Sequence, residues 1–295
     1  MDFAAQARSF TSTDDCYTLR GDFKIPCVGF GTWKVFDHEQ GSEVIAEAIK
    51  AGWRHFDTAA LYKSEKSVGQ AVKSSGLPRS AFFITSKVWK DSLSREGAQR
   101  SLKQTLSDLQ TDYLDLLLIH WPRRDDKDEL WQERLAETWQ YFIEAKKAGL
   151  VRAIGTANFL PHHFAALHTE MPVINQIEFH VGYTQKEAVD YCRAHDILVE
   201  AWAPLGRSAL LSHPVVQKVA AQAGVSPAQL CLRYCLQQGL LPLVKSADPQ
   251  RMRSNRRLFD FTLTDAQLAE LNALPDKTAW SGEHPDLAIP AVSVS

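Results

Sequence analysis

Four residues with acid–base side chains lie at or just beyond the ends of three apolar runs of the sequence. Asp57 lies in the run RHFDTA and Tyr62 follows Asp57 by five residues, while Lys87 lies in ITSKVW and His120 in LLLIHWP. A lysine beside a phenol favours the phenolate and so lowers a pKa that starts near 10. If the fold brings them together, Asp57 would hold Lys87 in place, and Tyr62 would act as a general acid closer to neutral pH.

Each of these residues also has a purely structural interpretation. Asp57 and Lys87 could form a structural ion pair, His120 could be a hydrogen-bonded core histidine, and Tyr62 could be a packing residue. Their occurrence on three consecutive predicted strands favours a catalytic group over three separate structural features.

The elements that must position these residues alternate between apolar, β-rich runs and helical patterns. Eight such runs occur, at 27–33, 54–59, 81–89, 113–121, 151–159, 172–179, 197–205 and 240–247. Several are apolar at consecutive positions, which is typical of strands buried on both faces of a parallel sheet.

The segments between the runs carry helix signals. Two apolar stripes have helical spacing: Val44, Ile45, Ala48 and Ile49, and Ala98, Leu102, Leu106 and Leu109. Thr184 with Glu187 and Thr264 with Gln267 have the capping-box pattern. Gly52, Gly149 and Gly239 fall where helices are expected to stop.

Eightfold strand–helix alternation predicts an α/β fold, a single-domain (β/α)8 TIM barrel. An open doubly wound sheet is the competitor, but the first turn, GFGTWKVFD, lacks the third glycine of a dinucleotide-binding fingerprint. We therefore expect one domain over residues 1–295, with a loose tail at 1–10 and an N-terminal hairpin within 10–26. Two long loops, 122–134 and the C-terminal loop 276–295, are expected on the C-terminal face, where barrel enzymes keep their sites.

Composition argues against several classes of protein. A net charge of -2 and a pI near 6.6 give no electrostatic footprint for nucleic acid, and no apolar run of membrane-spanning length occurs.

With no secretory signal at the N-terminus, the five scattered cysteines predict a reduced, cytoplasmic protein, which we expect to be a monomer. Cys231 and Cys235 are four residues apart on a predicted helix; a metal site is conceivable, but two buried small apolar residues fit better. No His/Cys cluster has zinc spacing, so we expect no metal.

Several motifs occur together in one order between about residues 25 and 260. They are GFGTW, DTAALYKSEKSVG, ITSKVW, LLIHWP, IGTANF, INQIEFH, AWAPLG and VKSADPQRMRSN. In these motifs the chain resembles the aldo-keto reductase family. Its ending, SGEHPDLAIP, resembles the short tails of the prokaryotic-type small-carbonyl reductases, including the 2,5-diketogluconate reductase group.

The resemblance implies a catalytic tetrad of Asp57, Tyr62, Lys87 and His120. Tyr62 would donate a proton to the carbonyl oxygen as hydride arrives from NADPH. Lys87 and Asp57 would adjust the pKa of Tyr62. His120 would orient the carbonyl group. The implied activity is the NADPH-dependent reduction of aldehydes and ketones to alcohols.

The resemblance also implies where NADPH or NADP+ binds. Asn158 and Gln176 would bind the nicotinamide carboxamide, and Trp202 would stack on the nicotinamide ring. Lys245, Ser246, Arg251 and Asn255 would hold the adenosine end, where an ammonium and a guanidinium suit a 2′-phosphate. The remaining expected cofactor contacts are Gly31, Thr32, Trp33, Pro204 and Leu205.

The sequence departs from the family pattern at two positions. Ala157 stands where the family has a serine before Asn158, so one hydrogen bond to the carboxamide is lost, at about 0.5–1.5 kcal/mol. Ser254 stands where many members have a glutamate that contacts adenine. Both changes concern cofactor affinity rather than the reaction.

The resemblance assigns the substrate pocket to aromatic residues beside the tetrad. Trp33, Trp89 and Trp121 would line it together with His120, and aromatic walls suit small apolar or aromatic carbonyls. Arg123 and Arg124 could attract an anionic substrate, but DDKDE follows at once, so we expect a self-neutralising surface loop.

Two other functions remain open at this point. A regulatory protein on the same fold, similar to potassium-channel β-subunits, would keep the cofactor pocket and in many cases the tetrad, although no long N-terminal inactivation segment is present. A barrel hydrolase with Asp57 and Glu178 as paired carboxylates would not explain the lysine, Trp202 or the basic cluster.

Overall fold

The strands form a closed parallel barrel. In the structure, a computed structural model that describes residues 1–35 and 39–287, the barrel order is β10-β3-β4-β5-β6-β7-β8-β9. The barrel strands are β3 Gly29–Gly31, β4 His55–Asp57, β5 Phe83–Val88, β6 Leu114–Ile119, β7 Val151–Ala157, β8 Ile174–Glu178, β9 Leu198–Trp202 and β10 Leu241–Val244. Each lies inside one of the eight apolar runs, so the (β/α)8 barrel predicted from the sequence is confirmed.

Ten α-helices are described. They are α1 Phe3–Ser9, α2 Glu39–Lys50, α3 Glu65–Ser74, α4 Arg95–Asp108, α5 Trp131–Lys147, α6 Lys186–Ala194, α7 Pro214–Ala223, α8 Pro227–Gln237, α9 Pro249–Ser254 and α10 Asp265–Asn272. Over the described ranges, none of them combines the length and apolarity needed to cross a membrane.

The chain groups into two compact units. One comprises Met1–Gly29 and Gln176–Gly282, and the other comprises Phe30–Asn175 and the chain from Glu283 onwards. The assignment of residues 1–295 to a single domain stays a prediction.

In the unit that begins at Phe30, the central strands are buried at consecutive positions. Every residue of β5 and of β6 is buried, as expected for parallel strands covered on both faces. The apolar stripes of α2 and α4 supply buried residues, among them Ile45, Ala48 and Leu102.

In the other unit, the N-terminal hairpin is confirmed, while the expectation of a loose tail at 1–10 is wrong. Strands β1 (Cys16–Thr18) and β2 (Lys24–Pro26) pair antiparallel. Residues 3–9 form helix α1, whose N-cap Asp2 accepts a hydrogen bond from the amide of Ala5. Phe3 is buried with its ring centroid 6.1 Å from that of Tyr17, so apolar burial orders this segment.

The helix signals were partly right. The capping box of Thr264 and Gln267 is present, and Gly52, Gly149 and Gly239 follow helices with positive φ. The box at Thr184 is wrong, because α6 begins after Gln185, which has φ 42 and makes no side-chain cap. A box of Ser226 with Gln229 at α8 was missed.

Two further expectations concern the cysteines of α8 and the two long loops. Cys231 and Cys235 are free and buried, as small apolar residues would be. The loop 122–134 is shorter than expected, since α5 begins at Trp131. Of the predicted C-terminal loop 276–295, residues 288–295 lie outside the described residues.

Candidate active site

The centre of the site is a buried ion pair between neighbouring strands. Strands β4 and β5 pair in parallel with Asp57 opposite Thr85, which places Lys87 two residues further along. Lys87 Nζ donates to Asp57 Oδ1 at 2.6 Å and to the carbonyl oxygen of Thr58 at 2.9 Å. Both charged side chains are almost completely buried, so each depends on the other for compensation.

Tyr62 completes this group. It ends a short 3-10 turn, Ala60–Tyr62, in the loop after β4. Its hydroxyl oxygen lies 3.5 Å from Lys87 Nζ and 3.5 Å from His120 Nε2, so two potential partners converge on the phenol. The structure therefore brings together the four residues predicted from the sequence.

The predicted direction of the Tyr62 pKa is wrong. Burial raises the pKa of Tyr62 above its ordinary value of 10.0, and the nearby Lys87 ammonium lowers it without overcoming this effect. The Asp57 carboxylate also raises this pKa and so offsets part of the effect of Lys87. The phenol is thus firmly protonated at neutral pH, which is the state that a proton donor to a substrate requires.

His120 is a neutral imidazole beside the phenol. It follows β6 directly, and its amide donates to the carbonyl oxygen of Val88 at 3.0 Å. Burial, and then the charge of Lys87, lowers its pKa well below 6.5. Its Nδ1 has no hydrogen-bond partner within the described ranges, and the Trp89 ring packs edge-on at 5.0 Å between centroids. A neutral Nε2 can exchange a hydrogen bond with Tyr62 or with a bound oxygen.

A chain of three buried hydroxyls, which the sequence interpretation missed, supports this centre. Thr32 Oγ1 donates to the carbonyl oxygen of Asp57 at 3.0 Å, so its one proton is used there. Ser64 must then donate to Thr32 at 2.8 Å, and Thr58 must donate to Ser64 at 2.9 Å. The chain therefore ties down the backbone of residues 57 and 58, which supply two of the acceptors of Lys87.

Removing the Ser64 hydroxyl, the middle one of the three, should destabilise the folded protein. In Ser64→Ala the Thr58 hydroxyl loses its acceptor in a fully buried place, and we expect the free energy of unfolding to fall by about 1–3 kcal/mol. Urea unfolding would measure this. Thr138→Val is the matched control, because the Thr138 hydroxyl is equally buried and has no hydrogen-bond partner in the described chain. Equal stabilities of Ser64→Ala and the wild type would contradict the hydroxyl chain.

Asn158 and Gln176, expected at the carboxamide, have well-defined protein partners. Asn158 has φ 62 and its side-chain amide donates to the carbonyl oxygen of His120 at 2.9 Å. Gln176 is buried and donates to Glu200 Oε2 at 2.9 Å. Each side chain is therefore held in one orientation, while their roles in cofactor binding stay predictions.

The residues expected at the phosphate end lie around α9. Lys245 and Arg251 are exposed, whereas Ser246 and Asn255 are buried. The Ser246 hydroxyl donates to the carbonyl oxygen of Asp248 at 3.3 Å, and the Asp248 carboxylate caps α9. Two cationic side chains are thus accessible beside a fixed turn.

Part of the basic stretch after Arg251 has a structural role. Arg256 Nη2 donates to Asp14 Oδ1 at 2.7 Å, and its Nε donates to Thr13 Oγ1 at 3.0 Å. This guanidinium therefore holds the N-terminal segment.

The aromatic residues expected in the pockets differ in exposure. Trp33 and Trp89 are partly exposed, whereas Trp121 is buried. In the other unit, Trp202 is partly exposed and the Arg207 guanidinium lies 5.7 Å from its ring centroid. Pro204 is buried beside the partly exposed Leu205. Trp121 therefore offers less surface to a ligand than the resemblance implied.

The arginines after Trp121 do not form a self-neutralising loop. Arg123 Nη2 donates to the carbonyl oxygen of Asp126, but Nη1 lies 3.7 Å from Asp286 Oδ1 in the C-terminal segment. Asp128 pairs with Arg134 of α5 and accepts from the backbone amide of Arg124. Two of the loop's charges are thus paired with residues outside the run DDKDE: Arg123 with Asp286, and Asp128 with Arg134.

Because two buried histidines stay neutral in the folded protein, we expect the free energy of unfolding to fall in acid. Burial lowers the pKa of His55 to about 3 and that of His120 well below 6.5. Below pH 6.5 the unfolded chain binds protons that the folded chain does not, so stability falls as the pH drops. For His55 alone this amounts to about 1.5 kcal/mol between pH 6.5 and about 5, and His120 changes stability in the same direction. Urea unfolding at both pH values should show this loss, and His55→Gln should reduce it; a flat profile would contradict it.

Comparisons with known proteins agree with this geometry. The model of the aldo/keto reductase family matches residues 27–276. Glyoxal reductase of Bacillus subtilis is 39% identical over 279 residues, covering 94% of this chain and 98% of that protein.

Two similar solved structures were crystallised with the cofactor. A mutant of Gox0644 in complex with NADPH has a TM-score of 0.86 at 31% identity, covering 94% of this chain and 99% of that one. The Bombyx mori aldo-keto reductase in complex with NADP has a TM-score of 0.80 at 31% identity, covering 93% and 99%. With the family model spanning the barrel and the tetrad, the chain belongs to the aldo/keto reductase family.

Proposed function

We propose that the protein is an NADP(H)-dependent oxidoreductase that reduces small aldehydes and ketones to alcohols, with Tyr62 as the general acid. The single observation that carries this proposal is the convergence of Lys87 Nζ and His120 Nε2 on the Tyr62 hydroxyl, each at 3.5 Å. Family membership and the NADP(H) complexes of similar structures support the reaction and the cofactor.

Each residue of the tetrad has a role that follows from its surroundings. The substrate carbonyl oxygen would accept the proton of Tyr62, since burial keeps that phenol protonated. Lys87 would stabilise the phenolate left behind, because its ammonium is fixed by Asp57 and the Thr58 carbonyl. Neutral His120 would donate from Nε2 to the same carbonyl oxygen and so orient it.

NADPH would supply the hydride, and the available residues fit it. A Cβ built at Gly31 would meet nothing within 4 Å, so this strand end leaves open space. In the other unit, the exposed cations Lys245 and Arg251 suit a phosphate monoester. The remaining cofactor contacts expected from the resemblance stay predictions.

Small carbonyl compounds are the proposed substrates. Glyoxal reductase, which resembles this chain over nearly its whole length, indicates reactive aldehydes. The partly exposed faces of Trp33 and Trp89 favour apolar or aromatic groups next to the carbonyl. A cytoplasmic location would suit the NADPH supply and five cysteines that form no disulfide bond in the described structure. A monomeric state stays a prediction.

The alternatives have less support. The hydrolase would need Asp57 and Glu178 free for acid–base chemistry, but Asp57 is paired with Lys87, and Glu178 accepts two hydrogen bonds from Ser281. A regulatory NADPH-binding protein could keep the same tetrad, but relatives that are named as reductases favour catalysis.

The test is a reductase assay. The purified protein would be mixed with NADPH and a panel that includes glyoxal, benzaldehyde and simple ketones, and loss of the NADPH absorbance would be followed. We expect turnover with the aldehydes. NADPH binding without turnover across the panel would favour the regulatory alternative, and neither binding nor turnover would reject the proposal.

A further inference from the structure

A buried hydrogen bond joins the segment that carries Tyr62 to the strand that carries Lys87. Glu65 is the first residue of α3, three residues after Tyr62, and it is almost completely buried. Ser86 Oγ, also buried, donates to Glu65 Oε1 at 2.6 Å. Ser86 immediately precedes Lys87 in β5. We call this contact the Glu65–Ser86 link.

The link lies behind the strand that presents Lys87. Successive side chains of a strand point to opposite faces of the sheet. Lys87 therefore contacts Asp57 and Tyr62 on one face of β5, whereas Ser86 contacts Glu65 of α3 on the other. An effect of the link on the reaction would thus pass through the positions of Tyr62 and Lys87, not through contact with a substrate.

Helix α3, from which Glu65 reaches β5, is itself closely packed. A Cβ built at Gly69 would lie 2.5 Å from the carbonyl oxygen of Leu109, the residue that follows α4. The two backbones therefore approach each other with no space for a side chain between them, and α3 has little room to shift. Glu65 is held from behind by this packing and from the front by Ser86.

The chain between Tyr62 and α3 is fastened at two successive residues. Ser64 is tied down by the hydroxyl chain, and Glu65 is tied down by the Glu65–Ser86 link. Between Tyr62 and Ser64, Lys63 has a left-handed conformation with φ 51 and ψ 44. A lysine adopts this conformation at a cost in free energy, which the surrounding contacts must offset. The position of the phenol therefore depends on contacts made just after it in the chain.

Stabilisation of the helix end does not by itself explain a buried Glu65. A carboxylate in the first turn interacts favourably with the helix dipole, but it can do so while exposed to water. Burying the carboxyl group costs free energy that hydrogen bonds must offset. The Ser86 hydroxyl supplies such a bond at the place where α3 meets β5.

We propose that Glu65 is a positioning residue for carbonyl reduction: through Ser86 it keeps the Tyr62 hydroxyl in contact with both Lys87 Nζ and His120 Nε2. The proposal rests on the reductase function proposed above. Glu65 would contact neither the substrate nor NADPH, so its removal should affect the rate of the chemical step and leave cofactor affinity unchanged.

The test measures single-turnover reduction of benzaldehyde with saturating NADPH. We expect Glu65→Ala and Ser86→Ala each to slow this step by about 10- to 100-fold, the loss that a misplacement of about 1 Å can cause. The dissociation constant of NADPH, measured by quenching of tryptophan fluorescence, should change by less than about threefold. Ser86→Ala is the smaller change and keeps the test decisive if Glu65→Ala does not fold.

A conservative variant should restore most of the rate. In Glu65→Gln the amide oxygen can still accept from Ser86, so we expect a single-turnover rate within about fivefold of the wild type. A rate as low as that of Glu65→Ala would show that the hydrogen bond to Ser86 is not what matters, and would overturn the proposal.

A double variant separates positioning of Tyr62 from other effects. Once the hydroxyl is removed in Tyr62→Phe, the link has no hydroxyl left to position, so adding Ser86→Ala should lower the remaining rate by less than about threefold. The same loss in both backgrounds would contradict an action through Tyr62.

Tyr17→Phe is the control for loss of stability alone. It removes a buried hydrogen bond from the Tyr17 hydroxyl to the carbonyl oxygen of Leu240, 3.3 Å long, in the other unit. Urea unfolding should show a lower free energy of unfolding at an unchanged single-turnover rate. The same behaviour in Ser86→Ala and Glu65→Ala would make the link merely structural and overturn the proposal. Absence of turnover with the whole aldehyde panel in the wild type would instead reject the reductase function itself.

Discussion

Replacing Tyr62 by phenylalanine is expected to lower kcat for aldehyde reduction by about 10²- to 10⁴-fold, the contribution of one well-positioned general acid. The substitution keeps the aromatic ring and removes the hydroxyl that lies 3.5 Å from both Lys87 Nζ and His120 Nε2. Single-turnover measurements with saturating NADPH would isolate the chemical step. NADPH affinity, measured by quenching of tryptophan fluorescence, should change by less than about threefold, because the phenol acts on the substrate.

Tyr191→Phe is the matched control for this variant. Tyr191 lies on α6 with its ring stacked on His195, 4.1 Å between centroids, and the variant should reduce aldehydes at the wild-type rate. Normal turnover by Tyr62→Phe would remove the acid assignment while leaving the family membership intact. Loss of turnover together with loss of NADPH binding would point to a structural role for the hydroxyl.

The double variant Lys245→Ala with Arg251→Ala is expected to weaken NADPH binding by about 10²-fold or more. Each cation is exposed, and a charge-assisted hydrogen bond to a phosphate contributes about 1.5–3 kcal/mol. NADH has no 2′-phosphate, so its dissociation constant should stay within about threefold of the wild-type value. Isothermal titration with both cofactors at one fixed salt concentration would measure the difference.

Arg253→Ala with Arg257→Ala is the control for charge. Both arginines are exposed in or just after α9, and their removal changes the net charge by the same amount. This variant should bind NADPH almost as the wild type does. Equal weakening of NADPH and NADH by the Lys245 and Arg251 variant would reject the phosphate role.

The fold was largely predictable because its signal is periodic and local. Each of the eight barrel strands lies within an apolar run such as YLDLLLIHW, since strands covered on both faces must be apolar at successive positions. Helix ends were less predictable. Thr184 has the residues of a capping box, yet α6 begins one residue later, after Gln185 in a left-handed conformation that no local pattern indicates.

The residues proposed as catalytic were predictable for a different reason. Asp57, Lys87 and His120 stand at the ends of apolar strands, where a buried polar side chain needs a partner or a function. Parallel pairing then places consecutive strand ends together, as in the pairing of Val88 with Ile119 just before His120. The hydroxyl chain was missed, because Thr32 and Ser64 are 32 residues apart and neither has an unusual local context.

By itself, the sequence determined the order of the barrel strands, the four residues proposed as a tetrad and the resemblance that implies NADPH, since these depend on residue type and spacing along the chain. Only the tertiary structure decided the protonation of Tyr62, because burial of the phenol opposes and exceeds the effect of Lys87, and burial is a property of the whole environment. Tertiary structure also brought Asp286 to His162 and His163, which are 124 and 123 residues away along the chain, and no local pattern could indicate this contact.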